Sequence, residues 1–172
     1  MTFFPKTLLL VALLALGACN NPDRFDQGAG NDANGNSGIN TTGLGDPNNP
    51  ASIAYFNQTV GDRVLFLVDQ SNLSDQARGI LAGQAVWLKS NPDYAIIIEG
   101  HADEQGTREY NLALGERRAN AVKDFLISQG ITSDRMRTVS YGKERPIEVC
   151  SDEACYSKNR RAVTVLSIGA GV

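Results

Sequence analysis

Between residues 63 and 168, four runs of strand length alternate with three stretches of helical spacing, and this alternation limits the fold more than any other feature. Arg63-Val64-Leu65-Phe66-Leu67-Val68 is a short apolar strand ending at Asp69. Ser74 is the expected N-cap of a helix in which Ile80, Leu81, Ala85 and Leu88 recur on one face, and Asn91-Pro92 stops it. Tyr94-Ala95-Ile96-Ile97-Ile98-Glu99 is a second strand, with Gly100 read as its terminator. A long helix is expected from about Thr107 to Gln129, with Ala121, Val122, Phe125 and Leu126 facing a core and Gly130 as C-cap. Arg137–Tyr141 alternates as a third strand, Gly142 opens a turn closed by Pro146, a short helix lies near Ser151–Asn159, and Arg161–Ile168 is the last strand. The order β-α-β-α-β-α-β predicts an α/β chain of the α+β two-layer sandwich type, with helices packed on a mixed sheet.

Ahead of this unit the chain has a different character. One Lys at position 6 precedes an apolar run from Leu8 to Leu16, followed by the small residues Gly17 and Ala18. That is the layout of an export signal. A run of about ten apolar residues is too short for ~30 Å of hydrocarbon, which takes roughly 20 residues as helix. Leu16-Gly17-Ala18-Cys19 resembles the bacterial lipobox, which implies removal of residues 1–18 and lipid on Cys19. Each buried acyl CH₂ contributes ~0.8 kcal/mol, so two or three chains anchor a protein nearly permanently. The residue after the cysteine is Asn20 rather than the Asp that commonly signals inner-membrane retention, which favours the outer membrane.

From Asn20 to about Pro50 the chain is Asn, Gly, Asp and Pro with almost nothing to bury, so residues 19–50 are expected to be a lipidated flexible linker. As a coil of about 31 residues it spans roughly 30 Å on average, and on the order of 100 Å when stretched. Residues 51–172 then form one domain with its own core. A formal charge of −3 leaves no large basic patch, so nucleic acid is not an expected partner.

The candidate site lies between the second strand and the second helix. On a helix, Asn111, Leu114 and Arg118 share one face at i, i+3 and i+7, and Asp103 sits in the loop leading into that helix. A carboxylate, an amide and a guanidinium lining one groove suit a ligand that carries both an ammonium and a carboxylate. Asp accepts from the ammonium, and Arg grips the carboxylate in a two-pronged fork. An Asp–Arg surface pair of about 0–1 kcal/mol is the plainer alternative. As groove-lining residues, Asp103 and Arg118 should be removable without harm to the fold.

Gly100-His101-Ala102-Asp103-Glu104-Gln105-Gly106-Thr107, then Glu109-Tyr110-Asn111 and Leu114-Gly115-Glu116-Arg117-Arg118-Ala119-Asn120-Ala121-Val122, strongly resemble the peptidoglycan-associated lipoproteins of Gram-negative bacteria. Val139–Pro146 and Tyr156–Val163 extend the match over nearly all of residues 62–167. The resemblance implies an outer-membrane-protein-A-like domain that binds the meso-diaminopimelate stem of peptidoglycan without cutting it. By the same resemblance Asp103 takes the ammonium and Arg118 the carboxylate. Asn111 and Leu114 line the pocket, and backbone at Phe66 and Leu67 closes it. The family often has Phe-Asp where this chain has Phe66-Leu67, so only a backbone contact carries over. The implied setting is the periplasmic side of the outer membrane, where the chain would tether that membrane to the wall, meet the propeller protein TolB and serve the Tol–Pal system in cell division. The resemblance implies no cofactor.

Two further groups invite chemistry. His101, the chain's one histidine, stands with Asp103 and Glu104 in a pattern that suggests a metal-dependent wall hydrolase, but zinc sites normally require three ligands in workable geometry. No metal is expected. Cys150 and Cys155 remain once Cys19 carries lipid, and an oxidising compartment favours a disulfide between them over a two-thiol metal site. Positions five apart in one helix are too distant for that bond, so Cys150 should lie just outside the short helix. Closing this loop contributes roughly 2 kcal/mol.

Overall fold

A computed structural model describes residues 44–168. The signal segment 1–18, Cys19 and the linker as far as residue 43 lie outside the described residues. The chain divides into two units, Met1–Ser37 and Gly38–Val172, of which the second contains every element described below.

Strand β1 (Arg63–Leu65), helix α2 (Asp75–Ser90), strand β2 (Tyr94–His101), helix α3 (Arg108–Ser128), strand β3 (Met136–Gly142), helix α4 (Glu153–Asn159) and strand β4 (Arg161–Ile168) follow the expected order. They are preceded by a short helix α1 (Ile53–Tyr55) that runs on as a π-type turn over Phe56–Gly61, which the sequence pattern did not announce. The sheet order is β1-β4-β2-β3, with β4 antiparallel to both of its neighbours and β2 parallel to β3. The sheet is therefore mixed, and the fold is α+β as predicted. Tyr94, Ile96 and Ile98 of β2 are buried in the same core as Leu81, Leu88, Val122 and Leu126 of α2 and α3. Alternate residues Ala95, Ile97 and Glu99 on the other sheet face are only half-buried. The helices thus take one face and make the second layer.

Local chemistry explains the element ends. The Ser74 and Thr107 hydroxyls accept from the backbone N–H of Ala77 and Tyr110 at the starts of α2 and α3. Gly130 closes α3 with φ +91°, a conformation that side chains with a Cβ resist. Two boundaries differ from expectation. β2 continues through Gly100 to His101, so Gly100 is not its terminator. Its missing side chain lets the strand meet α3, since a Cβ there would lie 2.6 Å from the carbonyl carbon of Gly115.

The other difference is at the linker. Leu44 packs against the core, its carbonyl accepts from the Ala54 N–H, and the Trp87 indole donates to the Pro50 carbonyl at 2.7 Å. The Tyr94 hydroxyl likewise donates to the Ala51 carbonyl at 2.8 Å. Residues 44–50 therefore pack with the folded unit, and a flexible linker ending at Pro50 is too long by those seven residues. Composition concealed this because the contacts are made by backbone carbonyls, which every residue has.

Candidate functional site

The strand pattern of residues 63–68 stops early, and the reason builds the site. After Leu65 only the Phe66 N–H keeps a sheet-like bond, to the Arg160 carbonyl at 2.9 Å. Beyond it the chain turns over α3 and reaches Asp69 in the left-handed region at φ +58°. Two of its carbonyls are taken by one side chain. The Arg118 guanidinium donates to Gln70 O at 2.8 Å, to Leu67 O at 3.1 Å and to His101 O at 2.8 Å. It also lies 5.2 Å from the centre of the Phe66 ring.

Arg118 is 0% exposed. Burial pushes its guanidinium down to about 10, against the pull of Asp103, so it stays charged at neutral pH. This corrects the groove-lining picture, in which Arg118 could be removed without harm. It is the bolt that joins α3, the end of β2 and the 66–70 loop. Of the five N–H groups on a guanidinium, three are committed to these carbonyls.

Asp103 lies at the same place and is 7% exposed. One of its oxygens accepts from the Gln105 N–H at 3.3 Å and the other from Arg160 at 3.1 Å. Asn111 is buried, and its amide donates to the Gln105 carbonyl at 2.8 Å, which fixes the 103–106 loop rather than presenting a free group. Leu114 is buried beneath. The Phe66 carbonyl accepts from Arg160 Nε at 3.2 Å. The side chain of Leu67 points out to solvent while its carbonyl serves Arg118. Arg118 thus reaches the Leu67 carbonyl, and Asp103 is joined through Arg160 to the Phe66 carbonyl. A groove of about 500 Å³ is bordered by Leu65, Phe66, Leu67, Gln70, Glu153 and Arg160.

Arg160 is the residue that sequence reasoning missed. It is 4% exposed and bridges Asp103 and Glu153, with Nη1 3.1 Å from the first and 3.2 Å from the second, while Nη2 pairs with Glu153. These bonds, Glu153 first, raise its pKa above the usual arginine value. Asn159-Arg160-Arg161 stood in the recognised stretch, yet nothing in the spacing tied Arg160 to a loop 57 residues away.

A model of the OmpA family matches residues 65–160. A "Peptidoglycan-associated lipoprotein" of Mesorhizobium japonicum is 48% identical over 171 residues, covering 99% of this chain and 96% of that protein. The chain belongs to the OmpA family. A protein of the same description from Haemophilus influenzae is 40% identical over 164 residues, covering 95% of this chain and 98% of that one. The crystal structure of the peptidoglycan-associated lipoprotein from Burkholderia pseudomallei superposes with a TM-score of 0.63 at 41% identity, covering 71% of this chain and all of that one.

Against this OmpA-family frame the hydrolase reading finds no support, because its three side chains go separate ways. Asp103 faces Arg160. Glu104 accepts from the hydroxyls of Ser151 and Tyr156 at 2.9 and 3.0 Å. His101 is 1% exposed, with its ring 5.5 Å from that of Tyr141. Among the described residues, Cys150, Asp152 and Cys155 are the group at metal-ligand spacing, and the two cysteines are joined to each other with Cα atoms 5.8 Å apart. Cys150 stands outside α4 and Cys155 within it.

Burial, reinforced by Arg161 and Arg145, pushes His101 down to about 3 from its ordinary 6.5. The folded chain therefore keeps it neutral where the unfolded chain takes up a proton, and stability falls as pH drops below about 6.5. Acidification from pH 7 to 5 should cost roughly 1–2 kcal/mol through this residue alone. Urea midpoints across that range measure the loss. His101→Asn should flatten the slope, and an equal slope in the variant would refute the assignment.

Proposed function

We propose that this chain is a non-catalytic tether that holds peptidoglycan through the Asp103–Arg118 pocket while lipid on Cys19 holds the outer membrane. The observation that carries the proposal is one carboxylate and one guanidinium, each nearly enclosed and within electrostatic reach of the other. The amino acid head of a meso-diaminopimelate stem offers the complementary pair of charges. Its ammonium would meet Asp103, and its carboxylate would meet Arg118. The names of the relatives support the wall as the ligand. Asp103, Glu104 and His101 each face a different partner, which favours holding over cutting.

In this reading residues 1–18 direct export and are removed. The stretch from Cys19 to about residue 42 spans the distance to the wall, and the folded domain faces the periplasm. By the family resemblance its partners are TolB and the other Tol–Pal proteins, in an assembly serving envelope integrity and cell division. Two charge-assisted contacts of roughly 1.5–3 kcal/mol each, less the costs of association, give weak binding per domain. Many copies on one membrane facing one polymer hold firmly through effective concentration.

Sedimentation of the purified domain with intact sacculi tests the proposal. Asp103→Asn keeps the bond from the Gln105 N–H but takes the counter-charge from the buried Arg160, so the urea midpoint should fall as well. Bound protein, scored at denaturant-free conditions on the folded fraction, should drop at least about tenfold. Undiminished sedimentation would refute the site. Release of soluble wall fragments by the unaltered protein would refute the tether.

A further inference from the structure

The Asp103 carboxylate does not wait empty for a ligand. Arg160 Nη1 already lies 3.1 Å from it, inside the protein, where a ligand's ammonium would otherwise bind. The same guanidinium is held more fully from its other side, by both oxygens of Glu153 in the first turn of α4. Its remaining bond, to the Phe66 carbonyl, ties it to the loop that covers Arg118. Glu153 is itself well placed to keep this position. The N–H groups at the start of α4 are capped by Asp152, and the Cys150–Cys155 bond closes the chain around that turn.

We infer that Arg160 is an internal stand-in for the ligand's ammonium, and that Glu153 sets the affinity of the pocket by drawing Arg160 away from Asp103 when the ligand enters. The inference rests on the proposed pocket reading, and it makes binding an exchange of cations. Two positive groups cannot share one carboxylate without repelling each other, so Asp103 accepts the ammonium only as Arg160 gives it up. With Glu153 as second anchor, Arg160 yields by a small rotation and keeps a full ion pair. Without Glu153 its fork would close on Asp103 in two-pronged geometry and compete with every cationic ligand. Glu153 touches no ligand in this scheme. It is a positioning residue, and its influence should appear only for ligands that bring a positive charge to Asp103.

The probe is a soluble stem peptide ending in meso-diaminopimelate, compared with the same peptide lacking the free terminal amino group, titrated against the chain from residue 44. Glu153 is largely exposed at its side chain, so Glu153→Gln should leave the urea midpoint nearly unchanged. Its Kd for the diamino peptide should rise about tenfold, the worth of one charge-assisted bond, while the weaker binding of the monoamino peptide should not change. Adding Arg160→Gln to Glu153→Gln should recover much of the lost affinity, because the internal competitor is gone. Equal weakening for both peptides, or no weakening for either, overturns the exchange. If the unaltered chain fails to prefer the diamino peptide, the pocket reading itself falls, and that outcome is distinct from a failure of Glu153 alone.

Discussion

Arg118→Ala should unfold much of the population before it reports on binding. The substitution removes donors to three carbonyls, of which His101 O is buried, and empties a site that is 0% exposed. It also leaves the enclosed Asp103 with Arg160 as its remaining cation. Breaking a buried charged network by deleting one partner costs about 3–5 kcal/mol, a large fraction of a typical domain's stability. The urea midpoint of the domain should fall accordingly, and an unchanged midpoint would show that Arg118 is no anchor. Arg118→Lys separates the two roles. A lysine keeps the charge and reaches fewer carbonyls, so it should restore part of the stability. It has no fork, so sedimentation with sacculi should stay at least about tenfold below that of the unaltered chain. Full binding by a stable Arg118→Lys variant would mean that the carboxylate is gripped elsewhere.

The dual character of Arg118 also marks where sequence reading succeeds and where it stops. The i, i+3, i+7 face of α3 is a local property of a helix, and it put Asn111, Leu114 and Arg118 on one side without any knowledge of the rest of the chain. The strand and helix order was legible for the same reason, since apolar spacing and caps such as Ser74 and Thr107 act within a few residues. What those residues touch was not legible. Arg118 is closed in by backbone carbonyls 48 and 51 residues away, and Arg160 reaches back 57 residues to Asp103 and 94 to Phe66. Carbonyls have no sequence signature, so an open groove was expected where Arg118 is bolted into a buried network. The same blindness placed the end of the linker at Pro50, whose carbonyl is the partner of Trp87.

Gly100→Ala should be as damaging as the loss of Arg118, although it adds only a methyl group. In the folded chain Gly100 of β2 and Gly115 of α3 meet backbone to backbone. A Cβ on Gly100 would fall against the Gly115 carbonyl, and one on Gly115 would stand 2.8 Å from the Gly100 carbonyl oxygen. No rotamer change relieves a clash between main chains, so α3 has to lift from the sheet, at about 3 kcal/mol or more. The site should suffer with it. Asp103 is carried by the loop after β2 and Arg118 by α3, so their separation depends on this contact. Gly79→Ala is the matching control. Gly79 lies within α2 with open space around it, and there the same methyl group should raise stability by about 0.5–1 kcal/mol, because alanine is the better helix residue. Thermal unfolding of the two variants should therefore move in opposite directions. A Gly100→Ala chain as stable as the parent would mean that α3 can shift on the sheet at little cost, and that the separation of Asp103 and Arg118 is set by the 66–70 loop instead.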